Sequence, residues 1–189
     1  MPRIHGRPTA DHIAEVAGRL FYSEGIHEIG VDRIAMVANV TKRTLYRHFP
    51  SKDHLLAAAL RRESPLGIRE CLGPADYRVD EVFRQVVEFV SSPEFRGCPF
   101  INAAAQLPNP LHPARAAIRE TRERRRLWFR ARVVELGALD PELLADKLMV
   151  LFDGALAGAT IRMSVAPAYA AADAASALIR GVTCHQKAS

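Results

Sequence analysis

Between residues 41 and 52 the chain sets out Thr41, Lys42, Arg43, Thr44, Tyr46, Arg47, His48 and Lys52, with Leu45, Phe49 and Pro50 interrupting a run of cations, hydroxyls and a phenol. Guanidinium and ammonium groups bind phosphate oxygens, and Arg, Lys and Thr can also donate to base edges in a major groove. Leu45 and Phe49 are four residues apart, so on a helix they share one side and leave the donors on the other. The pattern suits a helix laid against a polyanion.

Other reactive types are present without a pattern that would use them. Cys71, Cys98 and Cys184 are odd in number, far apart and in no CxxC spacing, which argues against a disulfide framework or a structural zinc site. Cys98 and His112 have no nucleophile elbow or Asn/Asp signature around them, and there is no glycine-rich phosphate loop, HExxH or paired-carboxylate pattern. The expectation is a protein that is not an enzyme and holds no metal or cofactor. A second basic run, Arg119, Arg122, Arg124, Arg125 and Arg126, reads as the charged outer face of a helix, with Arg119 pairing with Glu123 and Glu120 with Arg124. Asp153 and Arg162 fall within apolar helical stretches and need a partner, either a ligand or each other.

Charge is unevenly placed. The chain of 189 residues carries +5, and residues 1–62 hold ten Lys/Arg against six Asp/Glu, leaving only +1 for the remainder. A small basic unit on a near-neutral body suggests that the N-terminal unit is the one that meets a polyanion. The tail with Arg3 and Arg7 either enters a minor groove as a basic arm or is simply disordered. No apolar run approaches the roughly 18–20 residues that span a bilayer, and the first residues lack a secretory pattern. No membrane association and a cytoplasmic location are expected.

The elements that must position the donors are all helical. Ile13, Val16, Ala17, Leu20 and Phe21 form one apolar stripe, capped by Thr9 or Asp11 and stopped at Gly25, which predicts a first helix over 11–23. Short helices follow over 31–38 and 42–49, the latter with Thr41 as N-cap, and Ser51 caps a fourth that breaks near Ser64-Pro65. Further helices are predicted over 80–91, 100–106, from the proline-rich loop to Leu136, from Pro141 to about Ser164, and from about Ala168 to Thr183, with Pro167 separating the last two. About nine helices and no strand make an all-α fold.

Residues 31–49 meet the physical demands of a helix-turn-helix. Ala35 is small where the helices cross, Asn39 tolerates a left-handed turn, and Leu45 locks the second helix down. From Ile34-Ala35 through Ala38-Asn39-Val40-Thr41-Lys42-Arg43-Thr44-Leu45-Tyr46-Arg47-His48-Phe49-Pro50-Ser51-Lys52 to Leu55-Leu56, the chain closely resembles the DNA-binding domain of the tetracycline-repressor (TetR) family. It departs from the common pattern at Asn39, where Gly is usual, at Gly30, where Ser or Thr is common, and at Arg43, where a small residue is frequent. The resemblance implies that Lys42, Arg43 and Thr44 read bases, and that Tyr46, His48 and Lys52 touch phosphates, with Thr41 and Arg47 beside them. It also implies a helix-turn-helix domain over 1–62, an effector-binding and dimerisation domain over 63–189, and a homodimer on a double-stranded, pseudo-palindromic operator.

In the body, Phe100, Trp128, Met149, Phe152 and Met163 are candidates to line a pocket for a small, mostly apolar effector. By the same resemblance the last two helices form the dimer interface, for which Leu151, Ala155, Ala174 and Leu178 are the candidates. A regulator without an effector and an architectural DNA-coating protein are the alternatives.

Overall fold

The computed structural model describes residues 9–62 and 78–187. Among them are nine helices and no strand: α1 (Ala10–Glu24), α2 (Val31–Val37), α3 (Lys42–His48), α4 (Lys52–Arg61), α5 (Val79–Ser91), α6 (Pro99–Gln106), α7 (Pro113–Glu135), α8 (Pro141–Arg162) and α9 (Ala166–Lys187). The expected break at Ser64-Pro65 lies outside the described residues, as do the arm residues Arg3 and Arg7.

Helix starts follow local chemistry. Thr9, Thr41, Ser51 and Asp140 each accept a backbone N–H of the first turn of α1, α3, α4 and α8, satisfying a donor that the helix itself leaves free. His112 caps α7 in the same way through Nδ1, a cap the sequence did not signal. The break between α8 and α9 falls at Met163 and not at Pro167. Met163 adopts φ 47°, ψ 44° and ends α8, while Pro167 sits in the first turn of α9, where its missing N–H costs nothing.

α1, α2 and α3 pack around Ile13, Ala17, Ile34 and Leu45, and α4 contacts both α1 and the long α7. α4 is therefore shared between the N-terminal bundle and the body. In the body, α7, α8, α5 and α9 surround Phe83, Phe129, Val133, Leu148 and Phe152. A second link joins the units. The Tyr22 hydroxyl on α1 donates to Gly97 O (2.9 Å) and accepts from Arg96 N (2.7 Å), and Asn102 Nδ2 donates to Arg96 O. Burial pushes the Tyr22 phenol up to about 12, so it keeps the proton it donates. Gly97 is required here: its φ is +91°, and a Cβ would stand 2.8 Å from Thr160 Oγ1.

Candidate nucleic-acid interface

The turn between α2 and α3 is built as its residues demand. Asn39 takes φ 54°, a left-handed conformation that Asn adopts more readily than most residues. Val40 N donates to Ala35 O (2.9 Å) and Asn39 N to Met36 O (3.1 Å), closing the turn over Ala35. Leu45 is 0% exposed and Phe49 is buried, which fixes the rotation of α3 about its axis. Removing a buried Leu to Ala typically costs about 2–5 kcal/mol, so the orientation is held firmly.

That rotation leaves Lys42, Arg43, Tyr46, Arg47 and His48 exposed on the far side of α3, Tyr46 at 47%. Thr44 is half-buried, its N–H and hydroxyl both engaged by Thr41 Oγ1, so the backbone cap takes part of the hydrogen-bonding capacity expected to serve bases. Lys42 Nζ lies 2.6 Å from Asp32 Oδ1 on α2, an exposed pair that tethers the two helices; such pairs contribute little to stability and exchange readily. Among the described residues, no acid faces Arg43 or Arg47. Lys52 opens α4 beside the Ser51 cap, half-buried, with the first N–H groups of that helix next to it.

The donors of α3 share one exposed face of that helix, and Lys52 follows at the start of α4. The structure disperses the body candidates. Phe100, Met149 and Phe152 are core residues, and Phe152 makes a T-shaped contact with Phe129 at 6.4 Å. Trp128 is half-buried against Phe129, whereas Met163 is 93% exposed, because the left-handed cap swings it out of the bundle. Met163 lines no interior of the protomer. Ala155 is 1% exposed inside the protomer, where α8 meets its neighbours, so it is not on a free face. Leu151, Ala174 and Leu178 are half-buried and border an apolar groove on the outer side of α8 and α9, beside exposed Leu143 and Val150. Ala168, Ala171 and Ala175 are the inward stripe of α9.

The arginine run on α7 is the expected charged outer face at Arg119, Arg122 and Arg124, which are exposed, whereas Arg126 is half-buried and Arg125 is buried. Arg122 pairs with Asp153, Arg126 with Glu123 and Glu142, Arg130 with Glu142, and Arg61 on α4 with Glu120. Asp153 thus finds its partner in Arg122, and Arg162 is exposed. Arg125 is 1% exposed, with its guanidinium 4.3 Å from the Phe152 ring centre and 5.8 Å from that of Phe100. The partners from α8, Asp153 for Arg122 and Glu142 for Arg126 and Arg130, lie 31, 16 and 12 residues on and are not visible in local spacing. Cys98 is a free, buried thiol, and burial raises its pKa, which leaves it inert. No described helix is long and apolar enough to cross a membrane.

Comparison with known proteins agrees with this geometry. Residues 13–59 match the family described as bacterial regulatory proteins, tetR family. A TetR-family transcriptional regulator from Streptomyces coelicolor is 33% identical over 92% of this chain and 95% of its own, with a TM-score of 0.77. A tetR-transcriptional regulator from Streptomyces avermitilis is also 33% identical, over 90% and 99% of the two chains, with a TM-score of 0.74. A mycofactocin biosynthesis transcriptional regulator of Mycobacterium tuberculosis is 42% identical over 45 residues, but the match spans only 24% of this chain and 23% of that protein. The family match covers the helix-turn-helix region, whereas the Streptomyces matches carry the likeness through the body, and the chain therefore belongs to the TetR family of transcriptional regulators.

Proposed function

We propose that the protein is a homodimeric repressor, released from a pseudo-palindromic operator by a small, mostly apolar effector. The observation that carries the DNA-binding part is the exposed donor face of α3, held in one rotation by buried Leu45 and Phe49. Lys42 and Arg43, with Thr44 at the helix start, read base edges. Tyr46, His48, Arg47 and Lys52 hold phosphates, with Thr41 as the cap that sets the entry of α3. Residues 1–62 form the DNA-binding domain and 63–189 the sensing and dimerising one, with α4 packed on both.

Dimerisation is supported by the outer groove of α8 and α9, where exposed Leu143 and Val150 adjoin Leu151, Ala174 and Leu178. A two-fold dimer on such an operator must present its two α3 helices roughly 34–36 Å apart, one turn of B-DNA. The effector reading rests on the aromatic and Met content of the body. A regulator working without an effector is the second reading, and one observation favours it: Phe129 and Phe152, two of the large aromatics of the body, are fully buried in the core and packed against each other.

Selection of duplexes from a random pool, followed by sedimentation of the free protein, tests the proposal. A palindromic consensus and a dimer that dissociates when Ala174→Glu and Leu178→Glu are combined are the expected results. Binding without sequence preference would favour an architectural protein, and an unchanged dimer would move the interface elsewhere.

A further inference from the structure

The cavity of about 90 Å³ lies at the seam between the DNA-binding bundle and the body. Phe21 from α1, Leu56 from α4 and Phe100 and Ala103 from α6 form apolar walls, with the polar groups of Tyr22 and Asn102 at one end. Protein interiors hold few voids larger than a water, because lining atoms lose contacts across an empty space. Ala59 and Ala103, buried on opposite walls, leave this one open where larger apolar side chains would close it. The Tyr22 hydroxyl is already engaged by Gly97 and Arg96, and Asn102 Nδ2 by Arg96, which leaves Asn102 Oδ1 and the Gln106 amide as the polar side-chain groups of the lining. Apart from Gly25 and Ile26, which follow α1, the lining residues belong to the elements that join the two units: α1 and α4 on one side, α6 on the other.

We propose that this seam cavity is a regulatory binding site for a neutral molecule of about six non-hydrogen atoms, apolar but for one hydroxyl or carbonyl. Such a molecule packs between α4 and α6 and presents its polar group to Asn102 or to Gln106 at the rim. Filling the void biases the angle at which α1 and α4 leave the body, and with it the spacing of α3 in a dimer. The operator equilibrium shifts by the difference in ligand affinity between the two arrangements, and by no more. The binding claim stands on the cavity alone; the regulatory claim rests also on the DNA-binding reading.

Cyclopentanol is a suitable probe, added to the full chain without DNA while methyl NMR follows Leu56, Ala59, Leu60 and Ala103. Saturable shifts in the millimolar range and a raised unfolding temperature are expected. Ala103→Leu, and independently Ala59→Leu from the opposite wall, should weaken binding at least about ten-fold, the equivalent of about 1.4 kcal/mol. Either variant suffices if the other fails to melt cooperatively. With the selected operator, saturating probe should change wild-type affinity at least about two-fold, and should leave the filled variants unaffected. Absence of saturable shifts in the wild type, or shifts unchanged in a folded filled variant, overturns the site. Saturable binding with unaltered operator affinity overturns its regulatory role. A protein that selects no duplex would sink the DNA-binding reading, while the titration would still decide the cavity.

Discussion

α3 and α7 both carry runs of cations, yet their surroundings make them opposite kinds of surface. Among the described residues, Arg43 and Arg47 of α3 face no acid, and the one ion pair of the helix is the exposed contact of Lys42 with Asp32. On α7, eight arginines share the helix with three glutamates, and acids from α8 complete the neutralisation of Arg122, Arg126 and Arg130. Arg115 donates to the carbonyls of Ala104 and Leu107, closing the C-terminal end of α6. Arg125 goes further and is buried against aromatic rings. A basic run is a binding surface where its charge stays uncompensated, and is mortar where neighbouring helices bring the counter-charges.

The largest effect should come from the buried member of the α7 run. Arg125→Ala removes a long stem from the core together with its stacking on Phe152, and should cost about 2–4 kcal/mol of stability, measured by denaturant unfolding. Arg125→Met, which keeps the volume without the charge, should cost under about 1.5 kcal/mol or even stabilise. Loss as great as in the Ala variant would mean that charge, not packing, is what the core uses there.

Arg43→Ala should do the reverse. Its unfolding free energy should stay within about 0.5 kcal/mol of wild type, while affinity for the selected operator falls by about 1–3 kcal/mol and preference relaxes at one position. Lys52→Ala should weaken all duplexes alike and reduce the salt slope by about one unit. An equal loss on operator and random DNA for Arg43→Ala would move that residue from base reading to phosphate holding.

The smallest effect separates the helices by pH. Hydrogen bonds from Arg126 lower the Glu123 carboxyl, and those from Arg130 and Arg126 lower Glu142, both from an ordinary value of 4.5. Depressed carboxylates stabilise the fold above their unfolded pKa, and that contribution is lost as the pH falls through the folded value. Glu123→Gln combined with Glu142→Gln should be less stable than wild type at pH 7, with the gap closing below pH 4.5. Arg47→Ala should leave the pH profile of stability unchanged. A gap that persists in acid would assign the loss to side-chain packing.

The two helices also differ in how legible they were. α3 could be read almost residue by residue, because its cap, its left-handed turn at Asn39 and its i, i+4 anchor pair are all local, acting over ten residues or fewer. The expected pairings on α7 of Arg119 with Glu123 and Glu120 with Arg124 looked equally local. Glu123 instead pairs with Arg126, three residues on, and the hydrogen-bonding partner of Glu120 is Arg61, 59 residues away, with Arg119 and Arg124 adding their charges nearby. The Tyr22 bridge to Gly97, spanning 75 residues, had no local signal at all.

Sequence by itself determined the helical class, most helix starts and the donor face of α3, since capping, turn preference and apolar period are short-range forces. Only the tertiary structure decided which arginine of α7 is buried, that Met163 leaves the bundle as the cap of α8, that Ala155 points inward, and that a void remains between α4 and α6. Those outcomes depend on which faces meet across tens of residues, and the chain's local chemistry is the same whichever neighbour arrives.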